Sequence, residues 1–403
     1  MGRMLALATA RGVLAQVRHV SPVPPRAAHG LVARVYAQLV RDFGMAAPPV
    51  LLHSPAPEVL AACWVMLRES LLCGGASERV VKEVVASEVS AANACPYCVD
   101  VHRATLRGLP GHDDPRLASV AAWARTLGGG GVAAGRPHAP DAGRPPVLDA
   151  GRPHAPDAGR PPVLDAGRPH APDAGRPFAP DASLVAVAVT FHYLNRMVAV
   201  FLGDSPLPPE LPRRARGPAL RLFGRIMSPA ARRTPPPGLS LPLLPAAPAP
   251  PDLLAWTGTG RLADAFARAS AAIERAGQRS VPAPVRELVT ERLAAWDGGP
   301  PVMPSDGGPP AGPPSRAWAT EAAAGLPPDQ RPAATLALLT ALAPYQVGDG
   351  TIAACRSTRS GGHDDRALIE LTAWASLSAA RRVADRLPAL TPVNVSSVER
   401  TDP

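Results

Sequence analysis

The chain has 403 residues, 46% hydrophobic and only 4% aromatic, so it is long enough for two modules and apolar enough to bury their cores. Its formal net charge is +9, yet Lys82 is the only lysine and the arginines are scattered, several in Pro/Gly-rich stretches such as 212–216. No aromatic–basic stripe accompanies them, so a nucleic-acid partner is not expected.

The first twenty residues lack a clean apolar stretch because Arg3, Arg11 and Arg18 interrupt it, which argues against a secretory leader. Helices are then expected over Ala27–Phe43, Pro57–Leu72, Ser77–Ala92, Pro96–Arg107 and Asp114–Leu127. From Ala134 to Asp181 the chain is a tandem octad, AGRPHAPD alternating with AGRPPVLD and ending in AGRPFAPD, six copies in all. Pro, Gly and Asp at this density cannot bury a core, so 134–181 is expected to be a disordered insertion. His138, His154 and His170 recur within it, and repeat expansion explains them better than a metal tract. Leu184–Leu202 is long and apolar enough to raise the question of a membrane span. His192, Asn195 and Arg196 in its second half argue for a buried helix, and no membrane partner is expected.

The densest chemistry lies between Glu83 and His102. Val80, Val81, Val84, Val85 and Val89 give the first helix of this segment an apolar side, with Ser77 as the expected N-cap. Glu83, Ser87 and Ser90 form a polar stripe on it. Asn93-Ala94 breaks the run, and Pro96 suits the first position of a second helix. Cys95 then becomes the N-cap and Cys98 falls in the first turn, where the positive end of the helix dipole favours a thiolate. Cys98 and His102 are four residues apart on one helix face, so the imidazole can take the thiol proton. Glu83 can orient His102 or relay its proton.

A redox dithiol is the leading reading of this arrangement. Cys-x-x-Cys plus His also offers three zinc ligands, but only Cys63, Cys73 and Cys355 remain to complete a site and no second Cys-x-x-Cys exists. Haem attachment needs His directly after the second Cys, and Val99 stands there. Two buried structural cysteines are the plain alternative. Five cysteines, two of them so spaced, make no disulfide framework, and a recyclable dithiol suits a reducing cytoplasm.

Glu-x11-Cys-x2-Cys-x3-His resembles the active-site motif of the alkylhydroperoxidase D-like proteins of the carboxymuconolactone decarboxylase superfamily. A second resemblance is to that family's later core helix, whose Phe-x-x-x-Asn-Arg signature falls around Tyr193, Asn195 and Arg196. The resemblance implies an all-α helical bundle and peroxide reduction without a cofactor or metal. It implies that Cys98 is the peroxidatic thiol, that Cys95 resolves it, and that Glu83 and His102 form the proton relay. It also implies a hydroperoxide substrate and a lipoyl-type or thioredoxin-like dithiol reductant. Helix-end reasoning alone would favour Cys95 as the nucleophile; the adjacent His102 favours Cys98, which is the assignment adopted. The family's best-known members carry a further His between the cysteines, where this chain has Tyr97.

Residues 1–205 are accordingly read as the active module, 206–251 as a Pro/Arg-rich linker around a short basic helix at Ala219–Arg233, 252–390 as a degenerate second module, and 391–403 as a flexible tail. Val285-Arg-Glu287-Leu-Val289 lines up with Val81-Lys-Glu83-Val-Val85, but Gly299, Val302 and Asp306 replace Cys95, Cys98 and His102. Ala373–Val383 parallels Ala188–Val198. Two tandem modules would form a pseudo-dimer within one chain, with homo-oligomers a further possibility. The competing functions are a decarboxylase like the superfamily's namesake, which needs no dithiol, and a non-catalytic scaffold or redox sensor; a scaffold has no need of all four residues.

Overall fold

A computed structural model describes residues 14–74, 76–128, 178–208, 210–299, 316–357 and 362–387. The octad insertion except 178–181, the tail 391–403, and Val302 and Asp306 lie outside these residues. Among the described residues there are fifteen α-helices and no strand, as the all-α expectation requires.

Helix α1 (Gly30–Asp42) buries Val32, Val35, Tyr36 and Leu39, spaced by three and four. A single turn, α2 (Pro48–Leu51), precedes α3 (Pro57–Leu67), which starts with Pro at its first position and is buried from Val59 onward. The expected helix to Leu72 is completed by a π-helical turn, Arg68–Leu72. Helix α4 (Ala76–Ala92) begins one residue before Ser77. Then come α5 (Pro96–Arg107), matching its expected span, and α6 (Leu117–Thr126), shorter than expected because 110–116 are turns.

Helix α7 (Ala182–Phe201) is capped by Asp181, whose side chain accepts from the Leu184 amide at 2.9 Å. It has the length and apolarity of a membrane span, but its most apolar window is 94% buried inside the fold. It packs against α3, α4 and, across the two halves of the chain, α15 (Asp365–Asp385).

The segment 206–251 is more than a connector. Helix α8 (Arg213–Ala231) starts six residues before the expected Ala219 and packs on α5. The contact is close: a Cβ on Gly224 would stand 2.3 Å from the Ala104 carbonyl oxygen, so only glycine fits there. Ser228 adds a hydrogen bond to the Gly108 carbonyl at 2.7 Å.

The second half comprises α9 (Pro251–Thr257), α10 (Arg261–Ser280), α11 (Ala283–Ala295), α12 (Ala317–Ala322), α13 (Arg331–Leu342), α14 (Asp349–Arg356) and α15. Helix α3 packs on α10 as α7 packs on α15, and one apolar core runs through both halves from Val20 to Ala384. A buried ionic cluster joins them. Arg68 pairs with Asp42 at 2.7 Å and with Glu69 at 2.6 Å, and Arg261 of α10 reaches Glu69 at 2.7 Å. Ser240 and the Gly238 amide also donate to Glu69, so its buried carboxylate is well satisfied.

Candidate active site

The join between α4 and α5 sets the site. Ala94 has φ +50°, in the left-handed region. The Cys95 amide donates to the Ser90 carbonyl at 2.9 Å and the Ala94 amide to Ala91 at 3.1 Å, the paired bonds of a Schellman ending. The chain therefore turns within two residues, and Pro96 opens α5 with Cys95 as its N-cap. This is the break expected at Asn93-Ala94.

All four expected site residues come together. The Cys95 and Cys98 sulfurs are 2.8 Å apart, and both thiols are free and buried. His102 Nδ1 lies 2.7 Å from Glu83 Oε2, so α4 supplies the carboxylate and α5 the imidazole. Glu83 is fully buried. Burial pushes its carboxyl up, but Arg79 and His102 outweigh burial and hold it below the ordinary range.

Cys98 departs from the helix-dipole expectation. Its thiol is pushed well above the ordinary value, first by burial and then by the neighbouring Cys95. Hydrogen bonds from Asn195 and Ser90 pull the other way without prevailing. Cys98 is 3% exposed, and the cost of burying a thiolate there outweighs the helix dipole. Forming the thiolate here needs a base.

The sequence reading missed Arg79 and Phe191 but named Asn195 and Arg196. Arg79 holds Glu83 Oε1 through Nε at 2.8 Å; its i, i+4 spacing was the available signal. Phe191, rather than Tyr193, is the aromatic of the helix signature at the site: its ring meets His102 edge-on at 4.5 Å. Tyr193 faces elsewhere and stacks on His53 at 5.7 Å. Asn195 donates to Ser90 Oγ at 3.0 Å and accepts from Asn93 Nδ2 at 2.9 Å, fixing its amide beside Cys98. Arg196, behind them, donates to the Ala341 carbonyl at 2.9 Å and so ties this corner to α13.

A mostly apolar pocket leads to the dithiol. Cys98, His102, Tyr97, Phe191, Leu194 and Phe223 line it, the last from α8. The Tyr97 hydroxyl donates to Gln16 at 3.2 Å. The remaining thiols lie elsewhere: burial pushes Cys73 and Cys355 each up to about 12 and pushes Cys63 up as well, which disfavours their thiolates. No group of three or more His, Cys, Asp or Glu side chains among the described residues could hold a metal ion.

The fold and this constellation define an all-helical dithiol protein, and sequence comparison names its class. Residues 57–136 match the carboxymuconolactone decarboxylase family. The chain is also 36% identical over 374 residues to alkyl hydroperoxide reductase Rv2159c of Mycobacterium tuberculosis, covering 91% of this chain and 94% of that protein. No solved structure matches it. The chain belongs to the alkylhydroperoxidase D-like proteins of the carboxymuconolactone decarboxylase superfamily, a family of peroxidase-type enzymes.

Proposed function

We propose that the chain reduces hydroperoxides through the Cys95–Cys98 dithiol, with Glu83 and His102 as the proton relay. The observation that carries this reading is the placement of two reduced sulfurs 2.8 Å apart beside a buried Glu83–His102 pair, at the foot of an apolar pocket.

His102, oriented by its 2.7 Å contact with Glu83, takes the Cys98 proton. The thiolate attacks the distal oxygen of ROOH. The O–O bond breaks, Cys98 becomes a sulfenic acid, and the alkoxide leaves as ROH with the proton held by His102. The Cys95 thiol then attacks the Cys98 sulfur; a disulfide forms and water leaves. An external dithiol, lipoyl-type or thioredoxin-like, returns the pair to two thiols and becomes a disulfide itself. With Tyr97 where relatives of the family carry a second histidine, the relay runs through His102 alone. Decarboxylation does not call for two adjacent thiols, so the geometry supports the peroxidase better.

The second half is read as a degenerate copy that covers the first. Its α10 and α15 pack on α3 and α7, as a two-fold pseudo-dimer would place equivalent helices.

The test is one equivalent of cumene hydroperoxide added to the reduced protein, followed by mass spectrometry of the Cys95–Cys98 peptide. Wild type should form the disulfide rapidly. The Cys95→Ser variant should accumulate sulfenic acid on Cys98. Thiols left unchanged after prolonged exposure would overturn the peroxidase reading.

A further inference from the structure

Helix α8 carries a surface that peroxide chemistry does not account for. From Arg213 to Arg233 the chain has seven arginines and no Asp or Glu. Gly224, Met227, Ser228 and Ala231 form the buried stripe against α5. The opposite face exposes Arg221, Leu222, Arg225 and Ile226 side by side. Leu222 and Ile226 are 58% and 59% exposed, the highest values among large hydrophobic side chains of the described residues. None of the seven arginines makes a salt bridge with a carboxylate among the described residues. On the neighbouring α5, the Arg107 guanidinium is pushed below its ordinary range by burial, then by Arg103, with Arg221 adding to it and Asp100 opposing. Arg103 has Glu88 at 3.8 Å, but the seven arginines of 213–233 have no such carboxylate partner among the described residues.

Exposed aliphatics flanked by arginines on one helix face suit an interfacial helix lying flat on an anionic bilayer. Other occupants fit less well. A second copy docked about a two-fold axis would oppose arginines to arginines. A nucleic acid would use the arginines and leave Leu222 and Ile226 in water. The helix also sits at the entrance to the site: its Phe223, together with Pro206, lines the apolar pocket that reaches Cys98 and His102. We propose that the exposed face of α8 docks the protein on anionic phospholipid bilayers, so that the pocket receives hydroperoxides carried on acyl chains. The docking stands on the surface alone, while the acyl-chain substrate rests on the peroxidase reading above. The proposal departs from the expectation of no membrane partner; the exposure of Leu222 and Ile226 is visible only once α8 is seated on α5.

The experiment is co-sedimentation of the full chain with vesicles of phosphatidylglycerol and phosphatidylcholine, against phosphatidylcholine alone. Binding to the anionic vesicles that weakens with salt is expected. Arg221→Gln with Arg225→Gln should weaken it roughly thirtyfold, at about 1 kcal/mol per arginine. Leu222→Ser with Ile226→Ser, both at exposed positions, should weaken it by a similar factor while the thermal midpoint holds. The serine variant should also lose most of its rate on a phospholipid hydroperoxide embedded in those vesicles, yet keep its rate on dissolved cumene hydroperoxide. Equal or absent binding to the two vesicle types would overturn the docking. So would binding indifferent to the serine variant, or binding to a DNA duplex or polyglutamate in place of vesicles. A protein that binds vesicles but consumes no hydroperoxide would overturn the peroxidase reading and leave the docking intact.

Discussion

The two halves of the chain carry nearly the same helical phrase and treat it differently. In α4 the phrase is Val81-Lys-Glu83-Val-Val85, and Glu83 is fully buried. In α11 it is Val285-Arg-Glu287-Leu-Val289, and Glu287 is exposed. Helix α11 buries only Val285, Val289 and Leu293, a single stripe, whereas α4 is enclosed by α5, α6 and α7. A buried carboxylate survives only with compensation. Glu83 has Arg79 and His102; at the same offset α11 offers Ala283, and the aligned residue for His102 is Asp306. The shared local sequence therefore does not decide the glutamate's setting; its partners do, and only Glu83 is held between an arginine and a histidine.

The sharpest way to break this comparison is to neutralise both glutamates. Glu83→Gln should lower the rate of hydroperoxide consumption roughly 100-fold by removing the relay. It should also cost roughly 3 kcal/mol of stability, because Arg79 loses its buried partner. Glu287→Gln should leave turnover unchanged and shift stability by less than about 0.5 kcal/mol. Stopped-flow kinetics and denaturant titration check both. Equal effects in the two halves would defeat the asymmetry.

A second contrast sets the active corner against the ionic cluster between the halves. Glu69→Gln leaves Arg68 and Arg261 short of a carboxylate and should cost roughly 3 kcal/mol. Folded molecules should keep their kinetic constants, since Glu69 touches none of the four site residues. A loss of turnover per folded molecule would show that the halves communicate through this cluster.

The pH dependence separates Glu83 from Cys98. The Glu83 carboxyl is depressed in the folded state, so its stabilisation is complete above the ordinary carboxylate value of 4.5 and is lost as pH falls through its lower folded value. Wild type should lose stability more steeply than Glu83→Gln below that point. Cys98 is shifted upward, so its thiolate fraction grows with rising pH, past the ordinary thiol value of 9.0. Iodoacetamide labelling of Cys98 should keep accelerating there; a plateau near neutral pH would show a thiolate already formed.

These contrasts also mark what the sequence could and could not reveal. Glu83, Cys95, Cys98 and His102 sit within one continuous stretch, so helix periodicity and one break suffice to place them together. Phe223 reaches the pocket from a distant segment, and no local pattern announces it; Phe191 stands four residues before Asn195, where the spacing of the Phe-x-x-x-Asn-Arg signature puts its aromatic. Tyr193, two residues before Asn195, lies on the other side of helix α7 and stacks on His53, whereas Phe191 shares the face of Asn195, as an i, i+4 spacing requires. Burial, invisible in spacing, reversed the expected shift of Cys98.

The finest test lies at the turn itself. Ala94 holds a left-handed φ of +50°, and the aligned residue of the second half is Gly298, with φ +96°. A side chain in that region costs on the order of 1 kcal/mol, which glycine avoids while gaining some freedom in the unfolded chain. Ala94→Gly should therefore raise stability by roughly 0.5 kcal/mol, read as a small upward shift of the thermal midpoint. If turnover falls in the same variant, the alanine is there to stiffen the joint that holds Glu83 against His102, and the strain serves the site. If turnover holds, Ala94 is a tolerated imperfection, and the halves differ at this turn only in history.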